Sequence, residues 1–260
     1  MPGSGWVVIT GASRGLGAAL ARLYAAPGVK LALTARSAEP LEAVAAQCRD
    51  AGAQVETAAL DVAEAEPLGA WLLSLEQSAP IELMIANAGT SGGPAPGEAS
   101  EGLALASRQV RTNLLGAMNA IEPVAPLMAA RGRGGVAVIA SIAALRGLPY
   151  SPAYCASKAG VRAYGESLRP ALAPFGVAVT VVCPGFFDSA MTERFKGHTP
   201  LLCSTERAAA IVKRGVDRRA ARVEFPWLLV LGLRLADLIP TVFGDWIMRD
   251  IKFHITADRS

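Results

Sequence analysis

Tyr154 and Lys158 stand four residues apart in SPAYCASKAGVRAYGESL, Ser151 to Leu168, a stretch made mostly of small and apolar residues. On a helix this spacing puts two side chains on one face, so the ammonium can lie near the phenol. A free phenol has a pKa of about 10, and a nearby cation lowers it. Tyr154 could then give a proton in a reduction and take one in an oxidation. Taken alone, the pair is equally a surface pair on a helix. Ser141 changes the balance, because it closes the apolar run GGVAVIAS just before this helix. Its hydroxyl could hydrogen-bond a substrate oxygen on which charge develops. Asn113, in VRTNLLGA, is polar among apolar residues. By residue type it reads as a satisfied buried amide.

A second constellation lies near the start. TGASRGLG sets Gly11, Gly15 and Gly17 around Ser13, Arg14 and Leu16, between an apolar β-branched run and a helical stretch. A phosphate can approach backbone only where side chains are absent, and a helix N-terminus offers unpaired N–H groups and the positive end of a dipole. Glycines also serve ordinary tight turns; their place after the first strand favours dinucleotide binding. An NAD site places an acidic residue about 20 residues further on, at the end of the second strand. Here LALTARS has Arg36 and no carboxylate before Glu39. Arg36 and Arg14 suit the doubly charged phosphate of NADP, so NADP is favoured over NAD.

These residues need elements to hold them. Short apolar runs alternate with helical stretches: WVVIT, KLALTA, QVETAAL, ELMIANAG, GGVAVIAS, VAVTVVC and ARVEF each precede or follow a helix. The spacing predicts a long helix from about Glu101 to Met128. The alternation, with strands apolar on both faces, predicts an α/β fold with a doubly wound parallel sheet covered by helices on both sides. No linker divides the chain, so residues 1–260 read as one dinucleotide-binding catalytic domain. The loop TSGGPAPGEAS, Thr90 to Ser100, follows a strand end at the edge where open α/β sheets bind ligands.

Composition sets limits. Hydrophobic residues make up 52% and charged residues 18%, far from the composition of disorder. A net charge of +3 with scattered Lys and Arg argues against a nucleic-acid partner. Cys48, Cys155, Cys183 and Cys203 lie far apart, and only His198 and His254 could join them at a metal. That pattern reads as reduced thiols in a cytoplasm, with no metal site and no signal peptide in MPGSGWVVITGAS.

As a set, TGASRGLG, ANAG, Asn113, Ser141, YCASK and PGFFDSAMT resemble, in order, the motif series of the short-chain dehydrogenase/reductase family across residues 6 to about 225. The resemblance implies a Rossmann-type sheet of about seven strands, a catalytic Tyr154, a Lys158 that also holds the nicotinamide ribose, a Ser141 that orients the carbonyl, and an Asn113 that positions a water in a proton relay. It further implies that Asp61 and Val62 flank the adenine, that Asn87, Ala88 and Gly89 line the cofactor, and that Pro184, Gly185, Phe187 and Ser189 meet the nicotinamide. The first Asn of the family's Asn-Asn-Ala-Gly is Ala86 here, and Phe187 and Ser189 replace an aliphatic residue and a threonine. Homodimers or homotetramers are the family's expectation.

The family places substrate specificity at about residues 186–204, where Phe186, Phe187, Met191, Phe195, Leu201 and Leu202 suit a lid over an apolar pocket or packing on the body. Beyond it, an apolar helical extension covers about 225–250. Arg234 and Asp237 interrupt it and Pro240 follows, which argues against a span and leaves oligomer contact or peripheral attachment to a membrane surface. Tyr150 could touch substrate or pack its loop, and Tyr164 reads as structural. The function expected is an NADP-dependent reductase or dehydrogenase of a hydrophobic, lipid-like ketone or secondary alcohol. The alternatives are a sugar-modifying reductase or epimerase of polysaccharide assembly, and a catalytically idle NADP-binding sensor or scaffold.

Overall fold

Strands that are apolar on both sides have to be covered twice, and the fold follows from that need. A computed structural model of the chain describes residues 5–95, 97–197, 199–236, 238 and 254–255. The chain runs β1 (Trp6–Thr10), α1 (Gly15–Tyr24), β2 (Lys30–Ala35), α2 (Ala38–Asp50), β3 (Gln54–Ala59), α3 (Ala65–Ser78) and β4 (Ile81–Ala86). It continues through α4 (Leu103–Val110), α5 (Gly116–Ile121), α6 (Ala125–Ala130), β5 (Gly134–Ile139), α7 (Pro152–Leu172), β6 (Val177–Pro184) and α8 (Ala190–Glu193). The elements that follow are β7 (Phe195–Lys196), α9 (Thr205–Asp217), β8 (Arg222–Phe225), α10 (Trp227–Ala236) and β9 (His254–Ile255).

Seven strands form one parallel sheet in the order β3-β2-β1-β4-β5-β6-β8, while β7 and β9 pair antiparallel. The direction of winding reverses between β1 and β4, which opens a crevice at their C-terminal ends. Alternate strand residues feed two separate cores. Ile9, Leu33, Ile85 and Val182 pack with Leu20 of α1, Leu41 of α2 and Val212 of α9. Val8, Met84, Val138 and Val181 pack with Leu72 of α3, Ile121 of α5 and Val161 of α7. This is the doubly wound α/β sheet that the strand pattern implies.

The long helix expected from Glu101 to Met128 is instead three helices and a wide turn. Residues Arg111–Leu115 form a π-helical turn between α4 and α5, in which the Gly116 N–H reaches back to Arg111 O. Pro123, which has no N–H to donate, lies in the turn between α5 and α6. A π turn shifts the side chains that follow it, and Asn113 sits at its centre.

The lid is half settled on the body. Phe187 pairs with Cys203 in a bridge, both pack on the core beside α1 and α9, and the Phe186 and Phe195 rings lie 5.1 Å apart. Leu201 and Leu202 stay exposed. In α10, Val230 is buried against Ile142 and Leu145, with Leu229 and Leu233 beside it, while Trp227, Leu228, Leu231 and Leu235 are exposed, as is Leu238 just beyond the helix. Among the described residues no helix is long and apolar enough to cross a membrane. His198 and the rest of the expected extension, including Asp237, Pro240 and Trp246, lie outside the described residues.

Leu20 is wholly buried in the layer that holds the glycine turn. Leu20→Ala is expected to destabilise the fold by about 3 kcal/mol, the usual loss for a large-to-small change in a close-packed core. Urea unfolding of the two proteins measures it, with an unchanged slope and a lower midpoint as the expected result.

Candidate active site

Thr10, the last residue of β1, ties the first two site segments together. Its hydroxyl oxygen accepts from the N–H groups of Asn87 and Ala88, each at 3.0 Å. The Asn87 amide donates in return to Thr10 O at 2.9 Å and Gly11 O at 3.2 Å. The contact leaves no room for side chains. A Cβ on Gly11 would stand 2.7 Å from Ala88 Cα, and one on Gly17 would stand 2.5 Å from Asn87 Nδ2 and closer still to Gly11 O. Gly15 differs: its φ is +56° and the nearest atom to its Cβ position is Ser189 Cβ at 3.9 Å. Gly11 and Gly17 therefore close the strand against the helix, and Gly15 leaves an open cradle at the N-terminus of α1. That cradle fits a dinucleotide pyrophosphate, with Ser13 and Leu16 in the same turn and the exposed Arg14 at the helix N-cap.

Arg36 follows β2 directly and is exposed. Asp61 accepts from its own neighbour, the Ala63 N–H, at 2.9 Å. Val62 turns into the core, and a Cβ on Gly116 would meet it at 2.5 Å. Of the two residues expected at the adenine, only Asp61 keeps partial exposure. On the other side of the crevice, Pro184 ends β6 and the Gly185 N–H donates to Phe225 O at 2.7 Å. Phe187 is half-buried, and Ser189 caps α8 by accepting from Thr192 N–H at 3.2 Å.

Asn113 is 1% exposed and its amide is fully engaged. Its oxygen accepts from Thr90 N–H at 2.7 Å, and its nitrogen donates to Thr90 O and to Ser157 Oγ, both at 2.9 Å. The side chain thus knots the β4 loop, the π turn and α7 together. Residue type alone predicts this satisfied state. Thr10, Thr90 and Ser157 escape a reading of the sequence; Thr10 and Ser157 stand inside the quoted motifs, and only their partners reveal what they do.

Lys158 is 4% exposed, and its ammonium donates to Ile139 O, the last residue of β5, at 2.9 Å. A Cβ on Gly89 would stand 3.2 Å from both Lys158 Nζ and Asn113 Oδ1, so the three residues converge. Burial pushes the Lys158 amine down to about 8, with Cys183 opposing. Tyr154 is half-buried, and desolvation raises its phenol above the ordinary value, while a hydrogen bond from Ser141 pulls it down. Lys158 is not among the groups that shift the phenol, so the lowering expected of it is not found and burial dominates. At neutral pH the phenol therefore carries its proton, the form that a proton donor needs. Ser141 caps the short 3-10 turn Ile142–Ala144 by accepting from Ala143 N–H at 3.1 Å. Tyr150, 43% exposed, holds φ +58° in the left-handed region just before α7. Tyr164 donates to Glu122 at 2.6 Å and packs on the core, in a structural place. All four cysteines are free thiols, and among the described residues no cluster could hold a metal ion.

A family model described as short chain dehydrogenase matches residues 5–199. An oxidoreductase of Myxococcus xanthus is 34% identical over 250 residues, which cover 94% of this chain and 96% of that protein. The ketoacyl reductase HetN of Nostoc is 33% identical over 78% of this chain and 72% of its own length. Among solved structures, a single-substitution variant of the actinorhodin polyketide ketoreductase with NADPH superposes with a TM-score of 0.74 at 26% identity, over 86% of this chain and 97% of that one.

The lowered amine has a consequence for stability. The folded state binds the Lys158 proton less tightly than the unfolded chain does, so burial of the charge penalises folding below about pH 8. The penalty shrinks as pH rises from there and is gone above about 10.5, the unfolded value. Lys158→Met removes it, against the loss of one hydrogen bond to Ile139 O. At pH 7 and without cofactor the variant is expected to be more stable by about 2 kcal/mol, and the gain is expected to vanish by about pH 10.5. Denaturant titrations at the two pH values measure this; a gain that does not depend on pH would disprove the assignment.

Proposed function

Because this chain belongs to the short-chain dehydrogenase/reductase family, whose members use a nicotinamide cofactor, we propose that it is an NADPH-dependent carbonyl reductase acting on an apolar ketone of the ketoacyl kind. The observation that carries the reading is the convergence of Lys158 and Asn113 on Gly89, one turn of α7 from Tyr154 and at the same sheet edge as the open cradle at Gly15, with Ser141 near enough to Tyr154 to lower its phenol. Two hydroxyls on separate elements converge where one carbonyl oxygen can meet both. When bound, the reduced nicotinamide supplies a hydride to the carbonyl carbon. Ser141 orients the oxygen, and Tyr154 delivers its proton there to complete the alcohol. Lys158, charged up to about pH 8 and one helical turn along α7 from Tyr154, would ease loss of the phenol proton as negative charge develops during the transfer. Asn113 holds the π turn against α7, where the water-positioning role implied by the family would be exercised.

Preference for NADPH is supported by Arg14 and Arg36, both exposed beside the first two strand ends, and by the lack of a carboxylate in LALTARS. The NADPH carried by the actinorhodin ketoreductase agrees with it. The apolar substrate is supported by the exposed Leu201 and Leu202 of the lid and by the ketoacyl reductase among the relatives.

Arg36→Asp is expected to weaken NADPH binding by about a hundredfold, or roughly 3 kcal/mol for a charge-assisted contact turned repulsive, and to leave NADH binding within severalfold; nicotinamide fluorescence titration reads both. Tyr154→Phe is expected to keep NADPH affinity while ketone reduction drops by at least about 100-fold. For the free enzyme, kcat/KM for reduction is expected to fall as pH rises through about 8, where Lys158 loses its proton. A flat profile across that range would remove Lys158 from the proton chemistry.

A further inference from the structure

Helix α7 carries Tyr154 and Lys158, yet its own N-cap does not close it. Ser151 occupies the N-cap position, where a serine ordinarily accepts from the N–H of the second or third helical residue, and it makes no such bond. Its hydroxyl donates elsewhere, to Gly92 O at 3.4 Å. The orphan N–H of Ala153, the residue before Tyr154, is accepted instead by Glu101 Oε1 at 2.8 Å, from a segment 52 residues earlier. The second carboxylate oxygen accepts from Gln109 Nε2 at 2.9 Å. Gln109 is fully buried, and its oxygen accepts from Gly92 N–H at 2.9 Å. The bonds form a closed ring: Gly92 to Gln109, Gln109 to Glu101, Glu101 to Ala153, and Ser151 back to Gly92. Leu105 of α4 packs so tightly on this ring that a Cβ on Gly92 would meet two of its methyls at 2.9 Å.

We infer that Glu101, braced by Gln109, is a positioning residue for the proton donor: its carboxylate clamps the first turn of α7 and so sets where the Tyr154 phenol stands relative to Ser141. The inference rests on the reductase reading above. Its physical basis is that Ser141 and Tyr154 belong to different elements, so the approach of one hydroxyl to the other depends on how α7 is seated along its axis. One turn further on, the helix is held by Asn113 to Ser157 and by Lys158 to Ile139 O. The turn that carries Tyr154 has the Glu101 clamp before it and those ties after it. A carboxylate at this end of the helix also meets the positive end of the dipole, a favourable place for negative charge. With the clamp gone, the first turn frays while the deeper ties keep the fold. A misplacement of the order of 1 Å at reacting groups can lower a rate about a hundredfold without loss of binding.

The test compares the full chain with Glu101→Gln and Glu101→Ala. In the Gln variant one oxygen can still accept from Ala153, but the amide cannot accept from Gln109, so a graded effect is expected. Hydrogen exchange at the amides of residues 153–156 should quicken in the Gln variant and more so in the Ala variant. With NADPH and an apolar ketone, kcat should fall severalfold in Gln and about tenfold or more in Ala, with ketone KM and NADPH affinity within about twofold of wild type. A solvent isotope effect on kcat should grow in the same order, as proton transfer from Tyr154 becomes limiting. Should the Ala variant not fold, the Gln variant decides. Unchanged exchange, wild-type kcat in the Gln variant, or equal losses in kcat, cofactor affinity and thermal stability would overturn the inference. Wild-type protein that reduces no ketone would instead defeat the reductase reading, and exchange alone would then uphold or overturn the clamp.

Discussion

Lys158 carries an ammonium group into a place where 4% of the residue meets solvent, and much of the surrounding structure follows from keeping it there. A buried charge is tolerated only where a partner replaces the lost water. The partner is Ile139 O, a strand-end carbonyl that the parallel sheet leaves free because β5 stops at that residue. For the lysine to reach it, α7 has to lie close on the sheet, and its small residues allow this. A Cβ on Gly165 would stand 2.8 Å from Val181, and one on Gly160 would stand 3.0 Å from Leu114. The run of small residues around the Tyr-Lys pair is therefore part of the same device as the pair itself. Even so, burial leaves the amine near 8, so the charge is held at some cost in stability.

Polar side chains rather than the core align the neighbouring pieces. Asn113, Thr10 and Asn87 each satisfy backbone groups of a loop at the sheet edge, at distances between 2.7 and 3.2 Å. Loops at that edge cannot pair with strands, so their N–H and C=O groups need side-chain partners once they are buried. The result is that the glycine turn, the β4 loop and α7 are locked to one another before any ligand arrives. Preorganised donors of this kind are what a site needs to meet charge as it develops. The two apolar cores on either side supply the rigidity against which these bonds are set.

Some parts of this are readable without coordinates. The strand runs, the glycine turn and the Tyr-Lys spacing are local patterns, and local patterns survive in a linear text because the backbone periodicities of strand and helix produce them. A continuous helix from Glu101 to Met128 is the wrong reading, because an apolar 3.6-residue period continues across the π turn and tolerates Pro123. The lid is only half readable for a related reason: Phe187 and Phe186 look alike in sequence, but Phe187 packs beside α1 and α9 while Phe186 meets the Phe195 ring at a tilt. Asp61 and Val62 differ in the same way, one partly exposed and the other turned under Gly116.

The sequence by itself determined the fold class, the family and the identity of the candidate reactive side chains, since each rests on residue types at short, regular spacings. Only the tertiary structure decided who meets whom. That Lys158 bonds Ile139 O rather than lying free beside the phenol, that Asn113 joins Thr90 to Ser157, and that Glu101 closes a helix 52 residues away are facts about closure over long loops. Residue spacing along a chain carries no information about such closures, because many registers of packing are compatible with one pattern. The choice among them is made by volume and by the demand that every buried polar group find a partner.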